Sequence, residues 1–108
     1  MTRAELVNHL LRQLGVLGIG GAATSADFDF AGTVVDNAQD ELEQLEVALW
    51  TVDDVPGYAI EPFVRYCAPM AAPAFGAPID GNVKQLALAE LRSLTADARH
   101  GVATANYF

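Results

Sequence analysis

Three carboxylates, Asp36, Asp40 and Glu43, stand at i, i+4 and i+7, a spacing that places them on one side of a helix. Grouped carboxylates hold divalent cations or do acid–base work. Helical di-metal sites, however, draw ligands from several helices, often with Glu-x-x-His spacing, and that spacing is missing, as is an Asp-x-Asp-x-Asp-Gly loop. A solvated face is the plainest reading of this trio. An acidic surface turned to a partner, a neighbouring subunit or a channel comes next, and catalysis last. The other reactive residues are scattered. His9 falls in the first helical stretch and His100 near a helix end, where its charge suits the dipole. Cys67 lies on an apolar face between Val64 and Met70, the setting of an inert buried thiol rather than a nucleophile. No HExxH, CxxC or GxSxG pattern occurs. These residues predict neither an enzyme, a bound metal nor a cofactor.

Charge narrows the choice further. The chain has 108 residues and a formal net charge of -8. That length suits one small domain. An acidic chain lacks the means to grip phosphates, which argues against a sequence-reading nucleic-acid binder and against docking on anionic membranes. The single cysteine rules out an internal disulfide and fits a reducing compartment. The first residues carry Glu5 and Arg12 where a secretory segment needs an apolar run. The longest uncharged run, Cys67 to Ile79, is broken by Pro69, Pro73, Pro78 and Gly76, so no membrane span is expected.

The elements that position these residues read as helices. Residues 2–14 carry Leu6, Val7, Leu10, Leu11 and Leu14 in one stripe, with Thr2 and Glu5 at capping-box spacing and Gly15 placed for a left-handed cap. Residues 15–25, rich in glycine and alanine, read as a loop; no GxxxxGK[ST] pattern makes it a phosphate cradle. The longest helix is expected over about 28–49, with Thr24, Ser25 or Asp27 as its cap. Its seam is Ala31, Val35, Ala38, Leu42, Leu45 and Leu49. Nine acidic residues and no basic one lie between Asp27 and Asp54. Trp50 ends this helix, as a core residue or an interface anchor.

A third helix is expected over 58–70, with Pro62 in its first turn and Pro69 ending or kinking it near residues 65–68. Pro73, Gly76 and Pro78 then mark a tight connection. The last helix starts near Asn82, capped with Gln85, buries Val83, Leu86, Ala87, Leu91, Leu94 and Ala98, and closes at Gly101. The expected fold is all-α, a compact bundle of about four helices over residues 1–101, with a short extended C-terminal tail over 102–108. Tyr107 and Phe108 at the end of that tail are costly to leave in water, so Ala105, Asn106, Tyr107 and Phe108 are candidates for docking into a partner.

The order of these features resembles a known family. A first helix containing Leu10-Leu11-Arg12-Gln13-Leu14-Gly15 is followed by a loop. A long acidic helix comes next, Asp36 through Leu45 with Trp50 beyond it. Then come Ala68-Pro69-Met70, Phe75-Gly76 and an alanine- and leucine-rich last helix. Over roughly residues 5–100 this resembles the head-to-tail adaptor (tail accessory, or head-completion) family of tailed bacteriophages, short-tailed ones in particular. The loop after Gly15 is richer in glycine, the Ala-Pro segment richer in proline and the C-terminal extension shorter than that family's pattern.

The resemblance implies a structural virion protein at the head–tail interface, assembled in the host cytoplasm. It implies a dodecameric ring of copies docked on the portal protein. Such a ring extends the DNA channel, helps retain packaged DNA and carries the tail (nozzle or tail-tube) proteins. DNA passes through it without sequence-specific binding, and no membrane is involved. Carboxylates facing a channel repel phosphates, which suits Asp36, Asp40 and Glu43. An acidic long helix and a basic last helix also suit head-to-tail packing around a closed ring. A small acidic helical module that binds one partner protein outside any virion shares these features and stays open as an alternative. A long-tailed phage connector of similar helical fold stays open too.

Overall fold

The computed structural model describes residues 1–16, 21 and 23–105, the last eight of these by their backbone alone. Four helices follow one another: α1 (Arg3–Gln13), α2 (Ser25–Gln44), α3 (Gly57–Phe75) and α4 (Asn82–Ala105). The chain is an all-α bundle, as its periodicity predicts.

α1 begins and ends as its sequence dictates. The Thr2 hydroxyl accepts the Glu5 N–H at 3.3 Å, and the Glu5 carboxylate accepts the Thr2 N–H at 3.4 Å, completing the capping box. These bonds hold the Glu5 carboxyl below its ordinary value. At the other end Gly15 takes φ 77°, Gly15 N–H donates to Arg12 O and Val16 N–H to Leu11 O. These are the two bonds of a Schellman closure, and only glycine enters that region without strain. Leu6, Val7, Leu10 and Leu11 are fully buried.

α2 starts three residues earlier than expected, at Ser25, because Thr24 is the residue that caps it, its hydroxyl accepting the Asp27 N–H at 3.2 Å. It also stops five residues earlier. Glu46 adopts φ 59°, and its N–H donates to Glu43 O while the Val47 N–H donates to Leu42 O at 2.8 Å. This is a second Schellman closure, built without glycine. The seam therefore ends at Leu42. Ala31, Val35, Ala38 and Leu42 are fully buried, whereas Leu45 and Leu49 are about half exposed. Val47 and Trp50 turn inward in their place, so Trp50 belongs to the connection and not to the helix.

α3 is the central helix. It contacts each of the other three, and α1, α2 and α3 also contact one another, while α4 packs on α3. Its buried residues, including Ala59, Phe63, Val64, Tyr66, Cys67, Ala68 and Ala71, surround most of its circumference, as expected of a helix with neighbours on several sides. That burial carries α3 through its prolines. Pro62 is not in the first turn, and Pro69 neither ends nor interrupts the helix, which runs on through Pro73 to a left-handed Gly76 at φ 67°. Each interior proline removes a backbone bond and costs about 3 kcal/mol. Burial of the large side chains Phe63, Val64 and Tyr66, at roughly 1.5–3 kcal/mol for each such apolar side chain, offsets much of that cost.

α4 takes its first bond from Asp80: the Asp80 carboxylate accepts the Asn82 N–H at 2.9 Å, so Asn82 is the first helical residue and not the cap. The helix buries Ala87, Leu91 and Thr95, at i, i+4 and i+8, while Leu86, expected inside, is 70% exposed. The Thr95 hydroxyl donates to Val47 O at 2.8 Å, which fixes the inward side of the helix. The backbone stays helical through Gly101 to Ala105, so residues 102–105 belong to α4 and not to an extended tail.

Candidate functional site

Asp36, Asp40 and Glu43 lie on the outer side of α2, each with a different role. Asp36 is gripped by Arg3 of α1 in a two-point ion pair, Nε to Oδ1 at 2.9 Å and Nη2 to Oδ2 at 3.1 Å. The Arg3 guanidinium lies over Gly32, where an added Cβ would stand 2.5 Å from Nη2. Asp40 is exposed. Glu43 is exposed at its backbone turn but accepts the Gln39 Nε2–H at 3.0 Å. The trio is thus a partly occupied acidic ridge. Among the described residues no group of three His, Cys, Asp or Glu is placed to hold a metal ion.

Around the ridge the charge balance is one-sided. Of the chain's six Lys and Arg, Arg3, Lys84 and Arg65 are engaged within the protein, by Asp36, Glu41 and Glu90. Asp29, Asp40, Asp53 and Asp54 are exposed. Their charge is part of a net charge of -8, which repels polyanions from the bundle.

Two polar nodes that spacing does not reveal hold the ridge in place. At the first, Gln39 is buried on α2 and pairs with Trp50 in the connection: the indole Nε1–H donates to Gln39 Oε1 at 3.0 Å, and Gln39 Nε2–H donates to Trp50 O at 2.8 Å. Trp50 also packs against Phe63 and, edge-on, against Tyr58. At the second, Glu41 accepts from the Tyr66 hydroxyl at 3.0 Å and from Lys84 Nζ at 3.3 Å, while Nζ stands 5.1 Å from the Tyr66 ring centre. This node ties α2, α3 and α4 together. Burial, then the Glu41 hydrogen bond, pushes the Tyr66 phenol well above its ordinary value. The only sequence signal for either node is an amide among the buried positions of α2 and a carboxylate at the margin of its buried stripe, and nothing in the spacing names its distant partner.

The other reactive residues sit apart. Cys67 is fully buried and its thiol is pushed up by burial, the inert state expected of it. His9 pairs with Glu61 at 2.9 Å across α1 and α3. An open cleft of about 510 Å³ lies between α1 and the start of α2, lined by Arg12, Asn8, Ser25 and Asp29 among others. It brings Arg12 and Asp29 to one opening. The side chains of Arg99 and His100 lie outside the described residues, as do Asn106, Tyr107 and Phe108; Ala105 is placed by its backbone at the end of α4.

Among the described residues no helix is long and apolar enough to cross a membrane. No family model, no curated protein and no solved structure matches this chain.

Proposed function

We propose that this protein is a head-to-tail adaptor: a structural, non-enzymatic virion component whose copies form a ring on the portal of a tailed bacteriophage. The observation that carries the reading is the excess of exposed carboxylates on a small helical bundle, with Asp40, Asp53 and Asp54 left in solvent while internal cations pair with Asp36 and Glu41. A passage for DNA must not hold its phosphates, and exposed carboxylates repel them. The order of helices, with a capped first helix, a long acidic second and an Ala-Pro segment in the third, supports the same reading.

In this proposal the ridge around Asp40 and Glu43 faces the channel or the next copy, and residues 105–108 dock on the portal. The partners are the portal, neighbouring copies and the tail proteins below. Charge reversal at Asp40 and Glu43 is expected to impair ring formation or DNA passage; a variant normal in both would contradict the role given to the ridge. Deleting Asn106–Phe108 is expected to weaken portal docking, and normal docking of the shortened chain would remove that assignment.

A second reading, a small acidic module for one protein partner, draws on the exposed Leu45, Leu49 and Leu86. It predicts a monomer or dimer with no affinity for a portal ring.

A further inference from the structure

Asp80 is followed directly by Gly81 in the turn that opens α4, and both residues are exposed. In an aspartyl-glycyl sequence the following backbone nitrogen reaches the side-chain carboxyl most readily, because glycine has no Cβ to obstruct it. Three observations place this pair in a reactive setting. The Asp80 carboxylate is curled toward the backbone that follows, its Oδ1 accepting the Asn82 N–H at 2.9 Å, so the carboxyl spans the Gly81 peptide. Among the hydrogen bonds of the described residues, none is donated by the Gly81 N–H. A Cβ built on Gly81 meets nothing within 4 Å, so no neighbour shields the approach.

We propose that Asp80–Gly81 is a site of spontaneous isomerisation to isoaspartate, a covalent modification that uncaps α4. The Gly81 nitrogen bonds to Asp80 Cγ and gives up its proton, and the carboxyl oxygen departs as water. This closes a five-membered succinimide. Water then opens the ring. Attack at Cγ restores aspartate. Attack at the Asp80 backbone carbonyl carbon leaves the chain running through Cγ, one methylene longer, with the former backbone carbonyl now a free carboxylate. Water is lost and regained, and no oxidant or reductant takes part. The displaced carboxylate no longer meets the Asn82 N–H, so α4 loses its first bond. Lys84, in the same first turn, holds Glu41, so the change reaches the α2–α4 tie.

The test is to age the folded, full-length chain at neutral pH and physiological temperature and map its peptides. The expected result is a product of unchanged mass and altered retention in the peptide containing residues 80–81. A protein-isoaspartyl methyltransferase labels it, and a species lighter by one water precedes it. Gly81→Val fits the open space and slows the conversion several-fold. Asp80→Asn, with ammonia as the leaving group, speeds entry into the same succinimide. Hydrogen exchange in the first turn of α4 rises as isoaspartate accumulates. The proposal is overturned if the folded chain stays unmodified while a free peptide of the same sequence converts, or if Gly81→Val converts at the parental rate. Accumulated isoaspartate with unchanged exchange at the start of α4 overturns the uncapping.

Discussion

Gln39 and Trp50 exchange two hydrogen bonds across the buried end of α2: the indole N–H reaches the amide oxygen at 3.0 Å, and the amide nitrogen reaches the Trp50 carbonyl at 2.8 Å. The pair replaces the helix that the leucine seam predicts beyond Leu42. It folds the connection back over the core, and in doing so fixes where the acidic ridge ends.

Gln39→Leu keeps the volume and removes both partners. It strands a buried indole N–H and a buried carbonyl, each costing about 1–3 kcal/mol. The variant is expected to lose at least about 2 kcal/mol of stability in urea unfolding. Trp50 is the only tryptophan, so its fluorescence follows the transition directly. A loss below 0.5 kcal/mol, at the level of an ordinary surface substitution, would show that the pair does not hold the connection.

The closures at Gly15 and Glu46 predict opposite responses to glycine. Gly15 is left-handed at φ 77° with open space around a built Cβ, so Gly15→Ala is expected to cost about 1 kcal/mol through backbone strain alone. Glu46 occupies the same region at φ 59°, so Glu46→Gly is expected to gain up to about 1 kcal/mol, less what the Glu46 side chain contributes. Thermal unfolding of the two variants, side by side, checks both signs.

At Gly32 two effects compete. Replacing a helical glycine with alanine stabilises by about 0.5–1 kcal/mol. The new methyl must push aside the Arg3 guanidinium and break its pair with Asp36, a partly exposed pair worth about 0.2–1 kcal/mol. Gly32→Ala is therefore expected to leave stability within about 0.5 kcal/mol of the parent at low salt. In high salt the pair is already screened, and the variant becomes the more stable chain. Denaturant unfolding at the two salt concentrations reads the crossover.

Tyr66 makes stability depend on alkaline pH. Its phenol is held above the ordinary value of 10.0 by burial and by Glu41. The folded state thus keeps a proton that the unfolded state gives up. The contribution is fully present below pH 10 and is lost as pH rises through the folded-state value. Cys67, also pushed up by burial, acts in the same direction. Tyr66→Phe is expected to cost about 1 kcal/mol near neutral pH, through the lost bond to Glu41, and to lessen the alkaline decline. Unfolding measured from pH 8 to pH 11 distinguishes this from a parallel offset.

Where local signals decide an element, the sequence is legible. Thr2 and Glu5 name the start of α1 and Gly15 its end, because a cap needs only residues three apart. The seam from Ala31 to Leu42 identifies the buried side of α2. The seam continues to Leu49 in sequence but not in space, because Glu46 turns left-handed without a glycine to announce it. Pro69 and Pro73 read as breaks, and α3 runs through them because its residues are buried nearly all round, a property of neighbours and not of the segment. Leu86 reads as core and faces solvent, because α4 turns Ala87, Leu91 and Thr95 inward instead, the Thr95 hydroxyl donating to Val47 O at 2.8 Å. On the candidate surface, the excess of carboxylates is plain in the sequence. That Arg3 takes Asp36, and that Lys84 and Tyr66 share Glu41, is not, since each pair joins residues far apart in the chain.

The central claim is that this acidic bundle assembles on a portal. The most direct test mixes the purified protein with its cognate portal ring and measures the mass and rotational symmetry of the product. The adaptor reading predicts a complex carrying one copy of this chain per portal subunit, with the portal's own symmetry. A free portal beside an unchanged monomer or dimer would contradict it and favour the single-partner module.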